Sequence, residues 1–312
     1  MLTRLKLLCV ALFWGGTFVS AHVMGALLPP PVGALLRFLV ATAFMFGFAM
    51  FTEGRIAAPD RRLLLVTLLL GAVGIFGYNA LFFAAAKLMP ASRTALIVAT
   101  NPVFTAVLSA ALMRESPPAR GWAGIALSFL GAVIVITHGD LPALLQRGIG
   151  PGELLMVGGV GCWALYTVLS QRLLQGVSPL MATTWCSAWG TLLLALYALP
   201  HLGGIGWTRL PASLWWNLLY MGIPGTGIAY VWFLDGVRRL GAPRAAVFNN
   251  FVPVFGVALS ALLLGERPAA STLVGGAIVM TGVLITTRAR RMISPEPRSP
   301  RRSSAPAGRG RG

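Results

Sequence analysis

Apolar residues run through most of the chain in long stretches that charges, prolines and glycines interrupt. A helix needs about 20 mostly apolar residues to cross a membrane, and this pattern predicts ten such segments. They cover residues 7–26, 33–51, 63–86, 94–113, 121–138, 152–170, 180–199, 213–236, 245–264 and 270–287. Because most connecting stretches are short, we predict an all-α membrane protein with ten transmembrane helices.

The composition supports a membrane protein over a soluble one. Only 11% of the 312 residues are charged, whereas soluble domains are about a quarter charged. The net charge of +17 could indicate nucleic acid, but the charges lie between apolar runs and at the C-terminus, so we expect no nucleic-acid partner. The first apolar run follows Arg4 and Lys6 and lacks a convincing cleavage site, which favours an uncleaved span over a signal peptide.

The distribution of positive charges predicts the orientation. With the N-terminus inside, 19 of the 25 Lys and Arg residues fall on the cytoplasmic side and six, Arg37 among them, on the outer side. This excess follows the positive-inside rule. An even number of spans also places the Arg-rich tail, residues 288–312, in the cytoplasm. We expect the tail to be disordered; it could contact anionic lipid or serve only as a solvated topology signal.

An internal repeat divides the chain. Residues 82–117 match residues 233–268 at a constant separation of 151, including Pro102-Val103-Phe104 against Pro253-Val254-Phe255. Each half then holds five spans, and an odd number forces the second half to enter the membrane in the opposite direction. We predict two inverted five-helix repeats, typical of secondary transporters. The first covers residues 1–138 and the second 152–287, with a linker at 139–151.

Three motifs carry a resemblance to a known family. They are Phe-Trp-Gly-Gly-Thr-Phe-Val at 13–19, the stretch from Asn101 to Glu115, and the stretch from Val252 to Glu266. Through them the chain resembles the drug/metabolite transporter superfamily, specifically its ten-span EamA-type group. The second half departs from the pattern, with Ala164 where the first half has Gly15.

The resemblance implies a bacterial inner-membrane exporter of a small metabolite, such as an amino acid or an amphipathic drug-like compound. Transport would follow alternating access and would be proton-coupled or facilitative. Besides the substrate and membrane lipid we expect no partner other than a possible second copy, so the protein would be a monomer or a homodimer. A non-transporting scaffold or receptor component is the alternative from another class, and the lack of charged rings within spans disfavours a channel.

Polar and aromatic residues inside apolar runs are the candidate substrate ligands, because buried polar groups are costly in lipid and often face water or substrate. Trp14 and Trp163 could stack on a substrate or belong to an interfacial belt. Asn249 and Asn250 precede Pro253, which leaves a backbone carbonyl free; they could instead bond neighbouring helices. The full set is Trp14, Thr17, Tyr78, Asn79, Asn101, Trp163, Tyr166, Tyr230, Asn249 and Asn250.

His22 and Asp235 are the candidates for proton coupling. The alternative for His22 is an interfacial position, and for Asp235 a helical ion pair with Arg238 or Arg239. Matching Gly/Pro interruptions in the two halves indicate hinges or close helix packing. The hinge candidates are Gly74, Pro102, Pro224, Gly225 and Pro253.

Absent motifs narrow the class of protein. The sequence has no GxxxxGK[ST] loop for ATP, no HExxH and no GxSxG nucleophile elbow. Cys9, Cys162 and Cys186 lie in apolar runs without CxxC spacing, which indicates neither a disulfide framework nor a metal site. We therefore expect no enzyme activity, no cofactor and no metal.

Overall fold

Helices account for the regular structure throughout the residues that the computed structural model describes. These are residues 1–54, 59–90, 94, 97–113, 118–136, 150–265, 267 and 269–289. No strand occurs among them, which confirms the all-α prediction. The linker and the C-terminal tail lie outside the described residues, apart from Gly150, Pro151, Arg288 and Ala289 at their margins.

The helices of the first half are numbered α1 to α6. They are α1 Leu2–Leu27, α2 Pro30–Glu53, α3 Arg61–Leu70, α4 Tyr78–Leu88, α5 Asn101–Met113 and α6 Ala119–Ile136. A π-helical segment, Gly71–Gly77, joins α3 to α4 without a break, and a 3₁₀ turn, Val98–Thr100, precedes α5.

The helices of the second half continue as α7 to α13. They are α7 Pro151–Leu173, α8 Pro179–Ala198, α9 Ala212–Gly222, α10 Ala229–Leu240, α11 Ala242–Ala246, α12 Phe251–Leu264 and α13 Ala270–Ala289. A second π-helical segment, Ile223–Ile228, joins α9 to α10, and a 3₁₀ turn, Val247–Asn250, precedes α12. Short 3₁₀ turns at Leu199–His201 and Trp207–Arg209 link α8 to α9.

Local sequence explains where several helices begin. Pro30, Pro151 and Pro179 occupy first turns, where the missing N–H has no helical partner in any case. The Asp60 side chain accepts a hydrogen bond from the Leu63 N–H at 2.7 Å. Ser178 caps α8 in the same way through the Met181 N–H at 3.1 Å. Such caps satisfy backbone donors that the first turn leaves free.

Six helical stretches among the described residues are long and apolar enough to cross a membrane. They are Leu2–Leu27, Pro30–Glu53, Arg61–Leu88, Pro151–Leu173, Pro179–His201 and Arg244–Leu264, with shorter apolar helices at Asn101–Met113 and Leu273–Thr286. Helical residues occur within each of the ten predicted segments. The count of ten spans stays a prediction.

Corresponding helices of the two halves begin at nearly constant separations. The starts of α1 and α7, and of α2 and α8, differ by 149 residues, whereas those of α3 and α9, and of α6 and α13, differ by 151. The π-helical segments and the 3₁₀ turns also fall at corresponding places. The second half thus repeats the helices and the helix breaks of the first.

Several corresponding residues contact each other directly. The hydroxyls of Thr42 and Thr191, 149 residues apart, are hydrogen-bonded at 2.8 Å. Ser128 donates to the carbonyl of Val279, 151 residues away, at 3.2 Å. A residue touches its own counterpart only where a local two-fold axis passes between the two copies. Both contacts join the two halves at the separation of the sequence repeat.

Helices α6 and α13 pack through reciprocal glycine contacts. A Cβ added at Gly124 would lie 2.5 Å from the carbonyl oxygen of Gly282, and one added at Gly131 would lie 2.6 Å from that of Gly275. The contact at Gly282 is mutual, because a Cβ there would overlap the Gly124 carbonyl and lie 2.5 Å from the Ser128 nitrogen. Since the lower number on one helix meets the higher number on the other, the helices run antiparallel.

Enlarging Gly282 should destabilise the protein, because a leucine there would push against the backbone of α6. Overpacking typically costs about 1–3 kcal/mol, so Gly282→Leu should lower the melting temperature of the detergent-solubilised protein. Gly276→Leu on the same helix is the matched control, since a Cβ there meets nothing within 4 Å. Equal melting temperatures for the two variants would contradict the close packing of α6 and α13.

Candidate functional site

A central cavity lies between helices of both halves. Its empty volume is about 420 Å³, part of which is continuous with solvent, and bulky side chains divide it into narrow gaps. A metabolite can occupy it only after these side chains move. The cavity is lined by Trp14, Thr17, Phe18, Arg37, Tyr78, Val98, Asn101, Val160, Trp163, Tyr230, Asn249 and Val252.

Aromatic rings form one wall of the cavity. Trp14 and Trp163 correspond to each other across the repeat and meet edge to face with ring centroids 5.2 Å apart. Tyr230 and Tyr78 lie 5.1 Å and 5.4 Å from the Trp163 ring. These separations suit favourable aromatic pairing, and the rings would offer apolar surface to a flat ligand.

The π-helical segment of the second half supplies a hydrogen-bond acceptor to this wall. The Gly225 carbonyl in this segment faces α1, where Trp14 Nε1 donates to it at 3.1 Å. A Cβ added at Gly225 would lie only 2.6 Å from the Cγ2 atom of Thr17, so a larger residue there would crowd Thr17. Gly225 is therefore needed for the close approach of α1, and its carbonyl fixes the Trp14 ring.

A pair of asparagines lies where the 3₁₀ turns of the two halves meet. Asn249 Nδ2 donates to Asn101 Oδ1 at 3.2 Å, and Thr105 donates to the same oxygen at 3.2 Å. The Nδ2 of Asn101 is buried and has no hydrogen-bond partner. Val98 and Val252, the counterparts of Asn249 and Asn101 at 151 residues, also line the cavity.

Arg37 is the one charged residue among the described residues that line the cavity, and it is only 2% exposed. Its Nε donates to Thr226 Oγ1 at 2.7 Å, and one Nη donates to Asn79 Oδ1 at 3.1 Å. The other Nη reaches the Gly225 carbonyl at 3.4 Å. The guanidinium carbon also lies 5.6 Å and 5.9 Å from the ring centroids of Phe38 and Phe82.

Asn79 is held in one orientation by the π-helical segment of the first half. Its Nδ2 donates to the Ile75 carbonyl at 2.7 Å, which leaves its Oδ1 directed at Arg37. Thr226 in the other π-helical segment donates to the Met221 carbonyl at 2.6 Å, and its oxygen accepts from Arg37. Both helix breaks therefore orient the acceptors that surround the guanidinium.

Most of the predicted substrate ligands come together in the structure. Asn79 lies behind the cavity wall, and Tyr166 is buried against Trp163 with its hydroxyl unbonded. The side chain of Asn250 lies outside the described residues. The predicted ligands that line the cavity are Trp14, Thr17, Tyr78, Asn101, Trp163, Tyr230 and Asn249.

The two proton-coupling candidates lie away from the cavity lining. His22 is exposed near the end of α1. Asp235 pairs with Arg239 at 2.8 Å and with Arg238 at 3.5 Å, which is the helical ion pair considered as its alternative. The hinge candidates do lie at helix breaks: Gly74, Pro224 and Gly225 in the π-helical segments, and Pro102 and Pro253 just after the 3₁₀ turns.

Arg37 is the residue that the sequence reasoning misplaced. We counted it with the outer loop charges, but it lies inside α2 and is buried. The available signal was its position within the predicted span 33–51, because an ionisable residue inside a span is a functional candidate by default. Its partner Thr226 was also missed, since a threonine in a Gly/Pro-rich stretch resembles a turn residue.

Metal-ligating side chains do not cluster in the part of the chain that the structure describes: no group of three or more His, Cys, Asp or Glu residues could hold an ion there. The cavity instead offers rings, amides and one guanidinium. Such a set can bind a ligand by stacking, hydrogen bonding and charge.

Comparison with solved structures supports the fold. A crystal structure of a protein with 23% sequence identity superposes with a TM-score of 0.71, covering 94% of this chain and 99% of that one. At this identity the likeness concerns the fold alone.

Comparison with curated proteins identifies transporters. An uncharacterized transporter of Bacillus subtilis, YyaM, is 31% identical over 90% of this chain and 92% of its own length. A probable amino-acid metabolite efflux pump of Salmonella typhimurium is also 31% identical, over 89% of this chain and 92% of its own. An uncharacterized transporter of Archaeoglobus fulgidus is 29% identical over 91% and 97%.

The family signature matches the chain twice, once in each half. It covers residues 2–137 and again residues 150–288. These matches agree with a multi-pass membrane protein of apolar helices. The chain belongs to the EamA-like transporter family.

Proposed function

We propose that this protein is a secondary transporter that exports a small metabolite by alternating access. The observation that carries the proposal is the central cavity, which both halves line and which the helix breaks of both halves adjoin. Export is chosen because the Salmonella relative is named a probable efflux pump. The alternative is a non-transporting scaffold or receptor. Absence of substrate flux through the wild-type protein would favour that alternative.

The proposed architecture has ten spans in two inverted repeats. It is supported by the antiparallel contact of α6 with α13, in which Gly124 meets Gly282 and Gly131 meets Gly275. A two-fold axis that relates two antiparallel helices must run perpendicular to them. If these helices cross the membrane, the axis lies in the membrane plane, and the second half is inverted relative to the first.

The proposed motion bends the helices at their π-helical segments. These segments have irregular backbone hydrogen bonding, and π-bulges occur frequently at functional sites. The breaks place Gly74 against the ring of Tyr166 and Gly225 against Thr17, two residues that correspond across the repeat. Bending at Gly74 and Gly225 would therefore shift equivalent cavity walls on opposite sides of the two-fold axis.

The energy source would be the substrate gradient or a proton gradient. Among the described residues that line the cavity there is no carboxylate and no imidazole, which favours facilitative transport. If transport is coupled to protons that bind outside the cavity, His22 and Asp235 remain the candidates for binding them. In that case Asp235 would have to exchange its bond with Arg239 for a proton.

The inverted arrangement predicts that corresponding loops face opposite sides of the membrane. Leu27, at the end of α1, and Gln175, just after α7, are both exposed and occupy nearly corresponding places. In a background without Cys9, Cys162 and Cys186, Leu27→Cys should react with a membrane-impermeant maleimide in intact cells. Gln175→Cys should react only after permeabilisation. Labelling of both from the same side would contradict inversion.

The cavity predicts that transport depends on Trp163. Removal of this ring deletes its contacts with Trp14, Tyr78 and Tyr230 and the surface on which a flat ligand would lie. Aromatic contacts of this kind contribute about 0.5–1.5 kcal/mol each. Trp163→Ala should therefore reduce substrate-dependent flux in proteoliposomes by about tenfold or more across a panel of metabolites.

Trp216→Ala is the control for Trp163→Ala, because Trp216 is 72% exposed on the outer surface of the helices. It should transport at the wild-type rate. Absence of flux in the wild-type protein across the whole panel would reject the transporter in favour of the scaffold or receptor. Equal flux for all three proteins would reject the cavity as the route.

A further inference from the structure

We propose that the cavity recognises the carboxylate of a small organic anion, with Arg37 as the counter-ion and the aromatic wall as the surface for its flat apolar part. This inference rests on the proposed transport function and names the substrate class of that site. Four observations carry it: the burial of the charge, its unused donors, its fixed orientation and the unbonded amide of Asn101 in the same cavity lining.

The charge of Arg37 lacks an anionic partner within the described residues. The groups that accept its hydrogen bonds are a hydroxyl, a side-chain amide and a backbone carbonyl, all of them neutral. Burying a charge without a counter-ion is costly in protein and more so within a membrane. A ligand that brings a negative charge into the cavity would relieve that cost.

The guanidinium retains donors for a ligand. Arginine has five N–H groups in a planar fork, and three of them are used by Thr226, Asn79 and Gly225. One N–H on each Nη therefore remains, and Arg37 lines the cavity. Arginine binds carboxylates through paired N–H groups of this kind.

The fork is fixed before any ligand arrives. Asn79 is anchored to the Ile75 carbonyl and Thr226 to the Met221 carbonyl, so the two π-helical segments hold both acceptors in place. The rings of Phe38 and Phe82 lie near the guanidinium carbon and limit its movement. A charged side chain that is already held in place binds a ligand more tightly, because less side-chain entropy is lost on binding.

Asn101, which also lines the cavity, offers a second polar group. Asn101 Nδ2 has no hydrogen-bond partner although the residue is 1% exposed. An unbonded buried donor has a cost that an acceptor on a ligand would remove. A molecule that carries a carboxylate, a flat ring and a hydrogen-bond acceptor would supply a partner for each of these groups.

A cationic or zwitterionic ligand fits less well. Among the described residues that line the cavity no Asp or Glu could bind an ammonium group, and Asp235 is already paired with two arginines. The buried charge of Arg37 would repel a cation. The rings could bind a cation through their faces, but Arg37 lies in the same cavity.

Arg37 could instead serve only to tie α2 to the two π-helical segments. A structural tie would affect all ligands alike, whereas a counter-ion distinguishes an anion from its neutral analogue. The experiment therefore compares ligands of one shape that differ in charge.

Phenylacetate, phenylacetamide and phenethylamine share a ring and differ in charge. Binding to the full-length protein is followed by tryptophan fluorescence, because Trp14 and Trp163 line the cavity. Nanodiscs of phosphatidylcholine alone exclude anionic lipid headgroups as a competing source of negative charge. We expect wild-type protein to bind phenylacetate at least about tenfold more tightly than phenylacetamide, and phenethylamine most weakly.

Arg37→Gln should weaken phenylacetate binding by about thirtyfold or more, as loss of one partner of a buried charge pair does, with little change for phenylacetamide. Arg37→Lys should restore part of the preference, because it keeps the charge without the fork. Arg209→Gln is the matched control, since Arg209 is exposed between α8 and α9 and its loss should change nothing.

The inference is overturned if wild-type protein binds the amide as well as the acid, or binds none of the three ligands. Equal weakening of acid and amide by Arg37→Gln would assign Arg37 a structural role only. Flux of the same compounds into proteoliposomes separates this inference from the transport proposal. Flux of neutral or cationic compounds alone would reject the anion site and keep the transport function. Arg37-dependent binding of the acid without any flux would keep the anion site and reject the transport function.

Discussion

Backbone carbonyls that leave helical hydrogen bonding need new partners inside a membrane, because lipid offers none. In this protein the requirement is met at the π-helical segments. The carbonyl of Gly225 accepts from Trp14 and from Arg37, and that of Ile75 accepts from Asn79. The helix breaks and the polar groups of the cavity therefore depend on each other. Replacing the polar groups would remove the side-chain partners of these carbonyls, of which that of Ile75 also accepts from the Tyr78 backbone N–H, and regular helices would leave the polar groups without these acceptors.

Glycine contacts set the distances on which this arrangement depends. Gly225 allows α1 to approach closely enough for Trp14 to reach the second π-helical segment. Gly124 and Gly282 allow α6 and α13 to pack backbone to backbone at the periphery. Close packing by small residues is the usual way in which helices associate without water to drive them together. Gly225 thus positions the site, whereas Gly124 and Gly282 hold helices of the two halves together.

The sequence predicted more of the fold than of the site, and particular residues show why. Apolar runs and the match of Pro102 with Pro253 are local patterns, so the helices and the duplication could be predicted from them. Asn249 was predicted as a ligand because amides are rare in apolar runs. The role of Arg37 depends on Thr226, which is 189 residues away, and no local pattern shows that contact. Its charge was assigned to a loop, although its place inside an apolar run already marked it as a candidate.

The site is less symmetric than the helices that form it. The counterpart of Arg37 at a separation of 149 residues is Cys186, a buried thiol on α8. The counterpart of Asn79 at 151 residues is Tyr230, which adjoins the aromatic wall. A two-fold symmetric cavity would bind an asymmetric ligand equally well in two orientations. One guanidinium on the first half removes that equivalence, so a ligand that paired with it would be held in a single orientation.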